Sequence, residues 1–195
     1  MSYIIVGLGN PEKEYLNTRH NVGMIIADLF VKKNGGSEWK KDNNRNALIS
    51  KTDVNGEKTV VVKPQAFMNK SGISVKDLQG SPKKIEKLVV IHDDLDLPLG
   101  SMKIVFNRGS GGHKGVESIV RSVKSEAFVR VRVGICPTTP SGKLKKPDHT
   151  KMLDFIVGEF KKPEADEIKK LSKKVCESLE TIITESREKA MTDFN

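Results

Sequence analysis

The sequence predicts an α/β fold: a single-domain α/β/α sandwich built on a mixed, mostly parallel central sheet. Three observations predict it. Short apolar runs alternate along the chain with segments whose apolar residues recur every three or four positions. Two strand-like runs are joined by Asn55-Gly56, a strong tight-hairpin signal, so at least one antiparallel pair interrupts the alternation. A length of 195 residues gives room for one hydrophobic core, and no repeat or low-complexity stretch divides the chain, so residues 1–195 are expected to form one domain.

Each element follows from its pattern. "SYIIVGLGN" is a buried strand that ends in a glycine turn, and Val22, Ile25, Ile26, Leu29 and Phe30 mark a helix over residues 21–33. "ALISKTDVNGEKTVVVKP" is the hairpin, and residues 66–79 read as a short helix. "KLVVIHDD" is an apolar strand running into acids, and "SMKIVFN" is another strand. "RGSGGHKG" is a loop that opens a helix through Val116, Ile119, Val120 and Val123. "FVRVRVGI" alternates as a half-exposed strand does, and residues 137–149 form a Pro/Gly/Lys loop. Ile168, Leu171, Val175, Leu179 and Ile182 line one face of a C-terminal helix. In such folds ligands collect at the carboxyl ends of the strands.

Charge narrows the function. The net charge of +9 points to a polyanionic partner, and its distribution is uneven. Residues 101 to 151 hold eleven Lys or Arg against three acids (Glu117, Glu126, Asp148), a local excess of eight. Concentration in one stretch suits a phosphate backbone. Aromatics make up only 5% of residues, too few for an extended base-stacking platform. The opening "MSYIIVGLGNP" lacks the basic start of a secretory signal, and no apolar run is long enough to span a membrane. Cys136 and Cys176 have no motif spacing and are expected as free thiols, which fits a cytoplasmic protein.

Several motifs are tested and set aside. "VGLGNP" opens like a dinucleotide fingerprint, yet Glu12 stands at the third glycine position and Asp28 lies inside the helical pattern. "GSGGHKG" lacks the Lys-Ser/Thr ending of a P-loop; its glycines either present N–H groups to a phosphate or simply turn a strand into a helix. Ser110 lacks the glycine two residues before it that a nucleophile elbow needs, and Cys136 reads as structural.

"HDDLD", with His92, Asp93, Asp94 and Asp96, leaves three readings open. It can ligate a divalent metal on a phosphate substrate, supply one buried carboxylate that orients a histidine elsewhere, or form a solvated acidic turn. His20, in "LNTRHNVGM", is either a helix-start residue with no chemistry or a functional imidazole. Its company favours function: Asn10 closes the first strand and Asn69 follows the hairpin, and both amides suit a carbonyl and its amide neighbour. Phe67 and Met68 either line an acyl pocket or pack in the core.

Together "VGLGNPEKEYLNTRHNVG", "KPQAFMNKSG", "HDDLDLPLG" and "GSGGHKG", in this order and spacing, closely resemble the bacterial-type peptidyl-tRNA hydrolases, from residue 3 to about residue 160. The resemblance implies a monomer that needs no metal or cofactor. It implies hydrolysis of the ester between a peptide and the 3′-terminal ribose of tRNA, with the tRNA acceptor stem and 3′ end as partners. By the same resemblance, His20 is the catalytic base, Asp93 keeps it basic, and Asn10 distinguishes a blocked peptidyl group from a free aminoacyl one. Tyr15, Phe67, Met68, Asn69, His113 and Lys114 fall at substrate-binding positions. Lys103, Arg132 and Lys143 match positions that meet tRNA phosphates. Three residues depart from the family pattern: Lys114 replaces the usual Asn, Ala66 a Thr and Glu12 a Gly.

Overall fold

Residue parity along the central strands sorts the core into two layers. In the computed structural model, which describes residues 2–195, β1 (Tyr3–Gly7) lies between β4 (Glu57–Pro64) and β5 (Leu88–Pro98), parallel to both. Ile5, Val61 and Val89 are neighbours in register, and so are Val6, Val62 and Val90. The first set faces a core shared with α1 (Val22–Lys33) and α5 (Lys162–Thr184). The second faces a core shared with the 3₁₀ run Met68–Leu78, α2 (Pro82–Ile85) and α3 (Lys114–Val123). Both faces are therefore covered, and the parallel strands read as nearly continuous apolar runs.

The sheet has seven strands in the order β2-β3-β4-β1-β5-β7-β6, where β2 is Lys40–Asp42, β3 Ala47–Val54, β6 Met102–Phe106 and β7 Val129–Cys136. β4, β1, β5 and β7 run parallel, while β2, β3 and β6 pair antiparallel with their neighbours. This is the mixed, mostly parallel α/β arrangement that the sequence predicts. The chain leaves β1 toward β4 and returns across it to β5, so the strand order switches direction at β1, the kind of position whose carboxyl end binds ligands in open α/β sheets.

Local differences from the sequence expectations have physical causes. Residues 66–79 form a 3₁₀ run over Met68–Leu78 with a break at Val75, instead of one regular helix. β5 continues through the acids to Pro98, because Asp93 and Asp94 still pair with β7. β7 is buried along nearly all its length, not half-exposed, since it lies between β5 and β6 and even Arg130 is covered. β2, α2, α4 (Met152–Val157) and α6 (Arg187–Phe194) are short or highly charged and carry no clear period. Past α6, the Asn195 side chain accepts from the Ile104 N–H at 2.6 Å and donates to the Ile104 carbonyl at 3.0 Å, on the open edge of β6.

Two glycines set how closely α1 meets the sheet. A Cβ on Gly23, in the first turn of α1, would lie 2.4 Å from the Ile91 carbonyl oxygen and 2.6 Å from the Leu8 backbone nitrogen. A Cβ on Gly7 would lie 2.4 Å from the Gly23 carbonyl oxygen. Only hydrogens allow this contact, which seats the start of α1 on the ends of β1 and β5. Gly23→Ala is expected to destabilise the fold by about 1–3 kcal/mol through overpacking. Thermal unfolding checks it, as a fall in Tm of about 2–4 °C per kcal/mol for a chain of this size. An unchanged Tm would mean that the contact relaxes freely.

Candidate active site

Three segments converge on one carboxylate. Asp93 extends β5 past the point where β1 has ended, and it is almost wholly buried. Its Oδ1 lies 2.9 Å from Nδ1 of His20 and 3.1 Å from Nε2 of His113. His20 sits in the 3₁₀ turn Arg19–Asn21 just before α1, and His113 is the residue that caps α3.

The His113 tautomer follows from its other nitrogen. Nδ1 accepts the backbone N–H groups of Gly115 and Val116 at 3.2 and 3.3 Å, so the ring proton is on Nε2, which donates to Asp93. The Gly115 and Val116 N–H groups at the start of α3 are thus used by the loop's own histidine. His20 in turn donates its Nδ1–H to the same carboxylate, which leaves its Nε2 lone pair free to take a proton.

Electrostatics follow the geometry. Burial alone would raise the Asp93 carboxyl, but the charges and hydrogen bonds of His20 and His113 hold it well below the usual carboxylate range. Burial lowers the His20 imidazole, and the Asp93 charge and hydrogen bond more than reverse that, so its pKa lies above the ordinary value of 6.5, with Lys114 opposing. His92 is fully enclosed and pushed well below 6.5, first by burial and then by His113 and Arg130. It donates Nδ1–H to the Asp93 carbonyl at 2.8 Å, and its ring lies 4.7 Å from that of His113.

Asn10 is placed by a pair of bonds that the sequence does not announce. Its backbone N–H donates to the Asn21 side chain, and its carbonyl accepts from that side chain, both at 2.8 Å. The Asn10 Oδ1 accepts the Met68 N–H at 2.9 Å, which fixes the amide orientation. Among the described residues no acceptor takes its NH₂ group.

The other expected residues divide. Phe67 is 56% exposed beside this cluster, whereas the Met68 side chain is buried with Leu8 and Val116 and contributes its backbone N–H instead. Asn69 and Lys114 are exposed and Tyr15 is half-buried. Lys103 and Arg132 are register neighbours on β6 and β7 and line a cleft of about 510 Å³ with Arg108 and Arg130. Arg132 is held by Asp94 at 2.7 Å, and Lys143 is on the exposed loop outside that cleft's lining. Arg130, missed in the sequence, donates to the carbonyls of Arg108, Gly109 and Ser110 at 2.7 to 3.5 Å and so fixes the loop that leads to His113. Its signal is weak, because an alternating Arg in "FVRVRVGI" looks like a surface residue.

The three readings of "HDDLD" are now separable. Asp93 goes to the two histidines, Asp94 to Arg132 and Asp96 to Lys146, so these carboxylates share no ligand position. The groups near enough to share an ion are His20, Asp93 and His113, whose ligand atoms lie within 4.8 Å of one another. Both imidazoles there direct a proton to Asp93, so an ion would have to displace the two hydrogen bonds.

Comparisons with known proteins identify the family and the fold. A sequence profile of the family described as Peptidyl-tRNA hydrolase matches residues 4–195, which extends the likeness through α5 and α6, beyond residue 160. The peptidyl-tRNA hydrolase of Fervidobacterium nodosum is 36% identical over 192 residues, covering 98% of this chain and 95% of that protein. That of a Thermoanaerobacter species is 38% identical and covers 99% of both. The crystal structure of the Acinetobacter baumannii peptidyl-tRNA hydrolase superposes with a TM-score of 0.87 at 26% identity, covering 100% of this chain and 94% of that one.

The charged and titratable groups around the His20 ring are Asp93 on β5, His113 before α3 and Lys114 at its start. NMR titration of the His20 ring is expected to give a midpoint above 6.5. Asp93→Asn removes the charge that raises it and lowers the midpoint; Lys114→Asn removes the opposing charge and raises it further. Only the neutral ring can accept a proton, so activity that depends on proton transfer to His20 falls as pH drops through this midpoint. A midpoint insensitive to Asp93→Asn would break the pairing.

Proposed function

The chain belongs to the peptidyl-tRNA hydrolase family, and from that premise we propose that His20 and Asp93 carry its hydrolysis of peptidyl-tRNA at the 3′-ribose ester. One observation carries this assignment: the His20 ring is held through Nδ1 by a buried carboxylate, and its Nε2 is free. Water attacks the ester carbonyl while Nε2 takes its proton. The tetrahedral intermediate collapses, and the imidazolium returns that proton to the departing ribose oxygen. The products are the free peptide acid and tRNA with its 3′-hydroxyl restored. Asp93 stabilises the imidazolium and fixes the tautomer.

The surrounding residues take the substrate's two halves. The NH₂ group of Asn10 donates to the acyl carbonyl or the developing oxyanion, where one such donor contributes about 3–4 kcal/mol in other hydrolases. Phe67, Tyr15 and Asn69 receive the peptide and the terminal nucleotides. Lys103 and Arg132, with Lys143 on the loop, hold phosphates of the acceptor stem. Lys114 brings a charge where the family pattern has a neutral amide, and adds a salt-sensitive attraction to the nucleotide end. One chain supplies every group in this scheme, which supports action as a monomer. The two buried free thiols support a cytoplasmic setting.

Release of a blocked amino acid from N-blocked aminoacyl-tRNA by the purified protein tests the proposal. His20→Ala is expected to reduce kcat by about 10²–10⁴-fold with tRNA affinity unchanged. Activity within about tenfold of the parent would remove His20 from the base role.

Substrate choice gives a second check. A blocked substrate presents a neutral amide, and a free one presents an ammonium that must be desolvated. Asn10→Asp retains the acceptor for the Met68 N–H but replaces the NH₂ with a carboxylate oxygen. It is expected to narrow the rate ratio between blocked and free aminoacyl-tRNA; an unaltered ratio would place the discrimination at another residue.

A further inference from the structure

The turn that carries His20 is pinned from two sides, and only one of them is the sheet. On the sheet side are the His20–Asp93 bond and the reciprocal Asn21–Asn10 pair. On the other side Arg19, with its side chain 7% exposed, enters the junction between α4 and α5. Its Nη1 donates to the carbonyls of Phe155 at 3.3 Å and Gly158 at 3.1 Å. Its Nη2 meets Glu164 Oε2 at 2.6 Å, and the guanidinium lies 4.3 Å above the Phe155 ring. The Arg19 backbone N–H donates to the Gly158 carbonyl as well, at 3.1 Å. Glu164 is fixed in turn by the Lys161 N–H at 2.8 Å.

We infer that Arg19 is a positioning residue for the reaction, acting through His20; this rests on the assignment of His20 as the base. Successive residues of a 3₁₀ turn point about 120° apart, so a guanidinium and an imidazole next to each other diverge. One projects into the α4–α5 junction and the other toward Asp93, and the turn between them is held at both ends. A buried guanidinium is costly to desolvate, and an apolar side chain would fill the same volume more cheaply. What the planar fork adds is direction, because it fixes two carbonyls and a carboxylate at once. The bond from Nδ1 to Asp93 lets the imidazole swing about that contact; the Arg19 clamp removes the swing. Misplacement of a catalytic group by about 1 Å costs up to about a hundredfold in rate.

Two variants test this with N-blocked aminoacyl-tRNA as substrate, measuring kcat, KM and Tm beside the parent and His20→Ala. Arg19→Lys keeps the charge facing Glu164 and loses the fork. Gly158→Ala keeps Arg19 itself: the backbone there, at φ −75°, suits alanine, and the new Cβ falls 3.1 Å from the Asp154 carbonyl oxygen, 3.2 Å from Nη1 and 3.3 Å from the Phe155 carbonyl oxygen, so the side-chain guanidinium, freer to move than the two backbone oxygens, shifts by a few tenths of an ångström. The expected result is a kcat lowered about tenfold in Arg19→Lys and less in Gly158→Ala, with KM within about twofold of the parent in both. If Arg19→Lys does not fold, Gly158→Ala decides. A folded variant with parental kcat and a lower Tm alone would overturn the proposal, as would a raised KM with unchanged kcat. Failure of the premise is read separately, as retained activity in His20→Ala.

Discussion

A single buried carboxylate oxygen receives two imidazole N–H groups, and the geometry of the site depends on that meeting. Asp93 Oδ1 joins the end of β5, the turn before α1 and the cap of α3. An ionised carboxylate taken out of water without partners is too costly to keep. Here the partners are two rings whose proton positions are set by what each ring does elsewhere. The backbone of α3 dictates the His113 tautomer, and so dictates that His113 donates. The same carboxylate then orients His20 with its outer nitrogen unprotonated. One carboxylate thereby sets the orientation of two rings that belong to different segments.

Such a meeting point needs two layers of the fold to touch at one place. Ile91 and Asp93 alternate with His92 along β5, so the strand presents Asp93 and His92 to opposite sides of the sheet. Past the end of β1 the layers are no longer separated by a full sheet, and residues ahead of α1 and α3 reach the same carboxylate. The hydrogen-only contacts at Gly7 and Gly23 bring α1 near enough for this. Across the strand, His92 stays neutral and enclosed, and Arg130 ties down the loop that delivers His113. Asp93, His20 and His113 are thus held by a strand end and by the residues just ahead of two helices.

The sequence disclosed the central strands, the hairpin and the long helices through their periods, and it disclosed His20, Asp93 and Asn10 through their motifs. It did not disclose what holds them. Asn21 looks like the first residue of a helix, but it is the partner of Asn10. Arg19 reaches carbonyls 136 and 139 positions away, contacts that no local pattern records. Met68 was ambiguous between pocket and core because a buried thioether serves either; the packing assigns its side chain to the core while its N–H serves the site. The three-residue β2, Lys40–Asp42, is charged throughout and gives no strand signal, since an edge strand buries little.

Asn195 gives the sheet something that strand pairing does not. Along β6 the backbone groups that face away from β7 have no neighbouring strand, and one amide side chain there copies the donor and acceptor of a paired residue at Ile104. The far edge is guarded differently, by a short β2 bearing Lys40 and Lys41. An unprotected edge is a template for intermolecular β-sheet growth. The Asn195 amide therefore occupies a position on this edge where another strand would otherwise pair, and it does so beside the cleft that Lys103 and Arg132 line.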